Sequence, residues 1–298
     1  MQRSAVNRMA ILTVTIAAAG CSPASDQQVE GQADAADTAD AVAASAAETL
    51  PAGAAEAEAQ LAASPRHGEW QVVQSGSDSI RAWVVYPERS EPAPVVLVVH
   101  EVFGLSHWVR AVADQLAADG FIAIAPDLLT MENVSAGADG ATDPDSARTA
   151  IRTLDRADVN RWLSAVADWG MALPAATDAY GIVGFCWGGS TSFAHAVAAP
   201  ALDASVVYYG SAPDAAALAS IEAPVLGLYG GNDERVNATI APADSTMEGL
   251  GKVYEPHIFE GAGHGFLRQQ DGQEGANLRA TQEAWPLTVQ WFRTHLEG

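Results

Sequence analysis

Cys186 stands in the run Gly184-Phe185-Cys186-Trp187-Gly188-Gly189, behind the apolar stretch Tyr180 to Val183 and ahead of the small-residue stretch Ser190 to Ala199. Strand, sharp glycine-flanked turn and helix, in that order, are the context a nucleophile elbow requires. Such a turn lifts one side chain above the sheet, and its neighbours are glycines because larger side chains would collide. A thiolate at the following helix N-terminus gains from the macrodipole, which favours it as a nucleophile at neutral pH. Taken alone, the residue also fits a buried structural cysteine beside a glycine turn.

Two later loops carry the other groups that acyl transfer needs. Asp233 ends Gly230-Gly231-Asn232-Asp233, directly after the expected strand Val225 to Tyr229. His264 lies in Gly261-Ala262-Gly263-His264-Gly265-Phe266, after the expected strand Val253 to Phe259. A histidine can take the thiol proton and return it to the leaving oxygen, while an aspartate holds the imidazole in one tautomer and stabilises its cation. Singly, Asp233 also reads as a turn former and His264 as a loop residue. The ordered set, each member placed directly after a strand, points to catalysis.

The surrounding elements must bring those loops to one edge. Trp70 to Ser75 and Ile80 to Tyr86 read as paired strands around the turn Gly76-Ser77-Asp78-Ser79. Val95 to Val99 is a β-branched run suited to a strand covered on both faces. A helix is expected over Trp108 to Ala118, stopped by Gly120, then a strand over Phe121 to Ala125 ended by Pro126-Asp127. Met131 to Asp143 reads as loop and Asp145 to Trp169 as mostly helix. A strand follows at Ala204 to Tyr208, a helix within Ala238 to Leu250, and a closing helix over Ala276 to His295. Strands alternating with helices imply one α/β domain over 65–298, with a mostly parallel sheet and helices on both faces. Neither GxGxxG nor GxxxxGK[ST] occurs, so no nucleotide cofactor is expected. No CxxC or Cys/His cluster occurs, so no metal is expected.

The motifs together resemble the dienelactone hydrolase family of α/β hydrolases, over about residues 70 to 296. They are His100-Glu101-Val102-Phe103-Gly104, Pro126-Asp127-Leu128, the elbow around Cys186, Gly231-Asn232-Asp233 and Gly263-His264-Gly265-Phe266. The order nucleophile, acid, histidine is that of the superfamily, and cysteine at the elbow is the most specific of these signals. The resemblance implies an α/β-hydrolase fold and a Cys186, Asp233, His264 triad cleaving a lactone or carboxylic ester through an acyl-thioester. It implies an oxyanion hole from the backbone N–H groups of Val102 and Trp187. It also implies that Glu101 keeps the resting thiol neutral and turns away when substrate enters; the plainer alternative is a surface carboxylate at a helix N-terminus. Arg268, four residues after His264, matches the arginine that binds a substrate carboxylate, a role its fork suits. The family's second arginine has no distinguishing motif here, leaving Arg148, Arg152 and Arg156 open. Phe266 and Tyr208 are expected in an apolar substrate pocket, with Trp187 and Tyr209 beside them. His107 and Trp108 are candidate substrate contacts, with helix capping as the alternative. A general esterase or thioesterase on the same fold stays open, because fold and triad do not set the substrate. So does a non-catalytic envelope protein that binds a ligand.

The N-terminus bears on location. Arg3 and Arg8 precede the apolar run Met9 to Ala19, too short to span a bilayer and built like an export signal. Ala18-Ala19-Gly20-Cys21 resembles a bacterial lipobox, with Ala18 in place of the usual leucine. That implies a signal peptide over 1–20, lipidation at Cys21 and, from Ser22, the outer membrane of a Gram-negative cell. An ordinary cleaved signal or an uncut anchor would also export the chain. The chain has two cysteines, so a lipidated Cys21 leaves Cys186 without a disulfide partner. Residues 22–64 hold 17 alanines and eight acids, with no Lys, Arg or aromatic residue. Such a segment cannot bury enough apolar surface to offset its chain entropy, and a mobile tether over 21–64 is expected.

The whole chain has a formal net charge of −22, and the body after residue 64 holds 29 acids against 13 basic residues. That acidity disfavours nucleic acid and anionic lipid as partners. A small-molecule ester or lactone, a lipid anchor as the sole membrane contact, and a monomer are expected.

Overall fold

A computed structural model describes residues 50–134 and 142–298. The leader, Cys21 and the tether as far as residue 49 lie outside the described residues. The tether's expected end does not hold, because residues 50–64 are packed onto the body. Helix α1, Ala57–Ala63, lies there with Ala57 fully buried. Alanine contributes little apolar area by itself, and it is the facing surface of the body that provides the burial.

The strands are β1 (Gly68–Ser75), β2 (Asp78–Val85), β3 (Ala93–Val99), β4 (Ile122–Pro126), β5 (Ala176–Phe185), β6 (Ala204–Tyr208), β7 (Val225–Gly230) and β8 (Tyr254–Phe259). They form one sheet in the order β1-β2-β4-β3-β5-β6-β7-β8. β1, β2 and β4 pair antiparallel, and every pairing from β4 onward is parallel. Strand β3 is wholly buried, and its side chains alternate between two cores. Val96 and Val98 join one core, while Val95, Leu97 and Val99 join the other. That is the period of two expected of a strand covered on both faces.

Helix α2 (His107–Ala118) opens on Ser106, whose side chain accepts from Val109 N–H. The expected helix over 145–169 is two helices, α3 (Pro144–Ala150) and α4 (Arg156–Met171). Asp143 caps the first and Asp155 the second, each accepting backbone N–H groups, as Asp does at an N-cap. Helix α5 (Trp187–Ala198) follows the elbow, α6 (Glu234–Asn237) follows Asp233, α7 is Ile240–Gly249, and α8 is Ala276–Leu296.

The strand order creates the site. From β3 the chain steps to β4 on one side, then crosses to β5 on the other. At such a switch point, crevices open beyond the carboxyl ends of the strands. The pairing Val99 with Gly184 places Glu101 and Cys186 two residues beyond the same level of neighbouring strands. Phe185 pairs with Tyr208, which brings Tyr209 beside Cys186.

Candidate active site

Cys186 adopts φ 58°, ψ −114° between β5 and α5, a conformation that costs a non-glycine residue strain and recurs at functional sites. The turn closes only on glycine. A Cβ at Gly184 would sit 1.9 Å from the Gly188 carbonyl oxygen, and one at Gly188 would sit 2.3 Å from that of Val99.

The electrostatics differ from the helix-dipole expectation. The resting thiol is pushed up to about 11, chiefly by burial and then by the Glu101 carboxylate. Against these act the backbone N–H groups of Trp187 and Val102, both directed at the sulfur, and the charge of Arg235. The two N–H groups expected to form an oxyanion hole thus converge on the thiol. Glu101 is itself 4 % exposed and pushed up to about 7 by that burial, with Arg268 opposing. Arg268 Nε lies 3.3 Å from Glu101 Oε2. The contact is one of charge, because its alignment is too poor for a hydrogen bond and that oxygen has no hydrogen-bond partner.

This electrostatic arrangement makes Glu101→Gln informative. At pH 8 iodoacetamide should label Cys186 faster in the variant than in the wild type. Glu101 loses its charge as pH falls through about 7, so the ratio of rates should approach one below that. Equal rates at pH 8 would mean that Glu101 does not restrain the thiol.

Across the same edge, His264 Nδ1 donates to Asp233 Oδ2 at 2.5 Å. This leaves the imidazole Nε2 with its lone pair. Asp233 Oδ1 also accepts Val236 N–H at 3.4 Å as the N-cap of α6. The carboxylate is buried while the imidazole is partly exposed.

Several expectations are corrected. Tyr208 is fully buried, and its hydroxyl is bonded to Thr288 Oγ1 at 2.7 Å. Phe266 is fully buried among Tyr208, Tyr209 and Phe259. Both belong to the core and cannot line a substrate pocket. Trp108 is 2 % exposed and donates its indole N–H to the Ala52 carbonyl at 3.1 Å, so it is a packing residue. Tyr209, expected in the same pocket, is fully buried as well, and its ring packs against that of His264 at 5.2 Å. It has φ 41°, and its buried hydroxyl has no hydrogen-bond partner.

Of the three open arginines, Arg148 shares a ring contact with Arg268, while it also pairs with Asp145 at 2.8 Å. Its guanidinium sits 4.7 Å from the Phe103 ring centroid, and that of Arg268 sits 4.8 Å from the same ring. Arg156 instead lines a cavity with Leu154, Asn160 and Trp187. Arg152 is exposed.

The sequence assigns no role to two further residues beside the site, although His100 stands in the motif that carries Glu101. Arg235 is exposed on α6, in the turn after Asp233. His100 is fully buried, its Nδ1 donates to the Glu101 carbonyl at 2.8 Å, and its ring stacks on Trp187 at 5.6 Å. Burial pushes its imidazole down to about 4, so it stays neutral and ties together the two turns that carry the converging N–H groups. The Asn232-Asp233-Glu234-Arg235 turn could have suggested Arg235 by adjacency alone.

The Dienelactone hydrolase family matches residues 80–296. A relative from Methylorubrum extorquens, named "Putative carboxymethylenebutenolidase", is 31% identical over 234 residues, covering 72% of this chain and 77% of its own. One of the same name from Escherichia coli K12 is 28% identical, covering 75% and 85%. Among solved structures, "Putative Dienelactone Hydrolase" from Klebsiella pneumoniae superposes with a TM-score of 0.67 at 25% identity, over 76% of this chain and 98% of the other.

Proposed function

The chain belongs to the dienelactone hydrolase family, and we propose that it hydrolyses a carboxylate-bearing lactone or ester through Cys186, His264 and Asp233. Membership makes it a lactone or ester hydrolase, which sets the non-catalytic reading aside. The residues, the thioester intermediate and the substrate carboxylate are our reading. It is carried by the elbow thiol at positive φ with the N–H groups of Val102 and Trp187 converging on its sulfur.

In this mechanism His264 Nε2 takes the thiol proton as sulfur attacks the acyl carbon. The tetrahedral oxyanion accepts hydrogen bonds from Val102 and Trp187, typically worth about 3 kcal/mol per donor. Collapse breaks the acyl C–O bond, and His264 returns the proton to the leaving oxygen. Water then adds to the thioester carbon and gives His264 a proton. Collapse breaks the C–S bond, the proton returns to sulfur, and the acid leaves. Asp233 holds Nδ1–H throughout and balances the transient imidazolium.

Glu101 guards the idle state. While its carboxylate faces the thiol, the sulfur stays protonated and resists oxidation. A substrate carboxylate competes for Arg268 and releases Glu101 to turn away.

The test is a matched pair of substrates, one free acid and one methyl ester, with Arg268→Ala. A lost charge-assisted hydrogen bond should lower kcat/KM for the acid roughly 10- to 150-fold and leave the methyl ester nearly unchanged. Equal losses on both would make Arg268 a support of the His264 loop and refute the carboxylate reading. Turnover of simple aryl esters without turnover of acid lactones would select the broader esterase or thioesterase.

Location is part of the same proposal. Arg3, Arg8, the run Met9 to Ala19 and Cys21 support export and anchoring by lipid in the periplasm. Cys21→Ala should shift the enzyme from the membrane fraction to the soluble one; an unchanged distribution would reject lipidation.

A further inference from the structure

Residues 50–66 precede the part of the chain matched by the family, yet they bond to both sides of the active-site edge. Ala54 N–H donates to the Arg268 carbonyl at 2.9 Å. Gln270 Nε2 donates to the Pro51 carbonyl at 2.8 Å. Both contacts grip the loop that carries His264 and Arg268. On the other side, Trp108 Nε1 donates to the Ala52 carbonyl, and Trp108 belongs to α2, which follows the Glu101–Val102 turn. The segment is also braced internally, since Ala52 N–H donates to Gln60 Oε1 at 2.9 Å. Ala57 is fully buried, and Leu61 packs against the same core. At its far end Arg66 pairs with the buried Asp114 at 2.5 Å, and Ser64 Oγ donates to the same carboxylate.

We infer that this segment is a positioning strap that holds the Arg268 loop opposite Glu101 and thereby sets the enzyme's preference for carboxylate-bearing substrates. The reasoning is geometric. Arg268 and Glu101 lie on loops after different strands, β8 and β3, with β5, β6 and β7 between them in the sheet. The Arg268–Glu101 contact is not an aligned hydrogen bond, so it fixes the loop spacing weakly. The strap bonds to the Arg268 backbone itself through Ala54 and to α2 through Ala52, two residues earlier. A small displacement of a binding guanidinium costs orientation out of proportion to its distance. The part of this inference that concerns selectivity rests on the role proposed above for Arg268; the part that concerns the loop does not.

The experiment uses the full chain with two strap variants, neither in the reacting machinery. Ala57→Glu introduces a charge into a fully buried position and should undock the strap. Ala54→Pro removes the N–H that reaches Arg268 and fixes φ at that position, with no charge introduced. Each variant is assayed for kcat/KM on the acid and methyl-ester pair, and for hydrogen exchange of amides 265–270. The acid-to-ester ratio should fall roughly 2- to 12-fold, the range expected for one lost hydrogen bond, while exchange in the loop accelerates. In the Arg268→Ala background the strap variants should change the ratio no further. An unaltered ratio in both variants, with loop exchange unchanged, would overturn the inference. Equal losses on both substrates with a lower Tm and no selective acceleration of the loop would also overturn it, because the strap would then serve stability alone. If Arg268→Ala itself leaves the ratio unchanged, the substrate reading fails, and faster or unchanged exchange at 265–270 then decides whether the strap positions the loop.

Discussion

Cys186→Ala should abolish ester and lactone hydrolysis while leaving Tm close to the wild-type value. Removal of a covalent nucleophile from a hydrolase site typically costs about a million-fold in kcat, because the remaining oxyanion donors have no bonded intermediate to stabilise. Stability should change little. The thiol is only partly buried, and alanine inherits the same positive φ, so the backbone strain is neither added nor relieved. Cys186→Ser should also be nearly inactive, although it keeps a nucleophilic atom. The elbow's burial and the Glu101 carboxylate already push the thiol up to about 11, and a hydroxyl starts from a far higher pKa. Steady-state kinetics, with mass spectrometry for an acyl adduct at residue 186, checks both variants. Wild-type turnover by the alanine variant would remove Cys186 from the mechanism.

Asp233→Asn should cost roughly 10⁴-fold in kcat, the loss that follows when a histidine loses its orienting carboxylate and takes the wrong tautomer. The substitution separates chemistry from folding. Asp233 also caps α6 by accepting Val236 N–H, and Asn is as good an N-cap as Asp. The cap therefore survives, and Tm should move little. What disappears is the charge beside His264 Nδ1 and the certainty that this nitrogen carries the proton. An Asn amide can turn its N–H₂ toward the ring, which puts the proton on Nε2, where a base is needed. A variant within tenfold of the wild type would mean that the short Asp233–His264 contact orients the loop without serving catalysis.

What could be read from the sequence was local. The strand β6 appears at its expected residues, Ala204–Tyr208, and β3 extends its expected run by only two residues. Unbroken β-branched and apolar runs have few alternatives once both faces are covered. The elbow was legible for the same kind of reason. Gly184 meets the Gly188 backbone one turn on, so its requirement is written in neighbouring residues, whereas Gly188 meets the Val99 and His100 carbonyls of the adjacent strand end. Asp233 and His264 needed only the rule that loops after parallel strands share an edge. The break between α3 and α4 was also written locally, in Asp143 and Asp155 as caps, but helix periodicity on either side masked it.

The tertiary structure decided everything that depends on which loop faces which. Tyr208 and Tyr209 are adjacent and both fully buried, and composition cannot say which of them meets His264; the pairing of Phe185 with Tyr208 and the hydroxyl partner at Thr288 turn Tyr208 away and leave Tyr209 beside the imidazole. The same holds for Phe266, buried by rings from three other positions. Glu101 acquires its raised pKa from burial, and its contact with Arg268 spans 167 positions of sequence. Arg148 could not be told from Arg152 and Arg156 until Phe103 was placed beneath it. Low aromatic content and many alanines made residues 50–64 look unable to pack, because a segment's own apolar area is all that composition measures. The surface it docks against, formed by α2 and the Arg268 loop, is distant in sequence, and that surface supplies the burial and hydrogen bonds the segment lacks by itself.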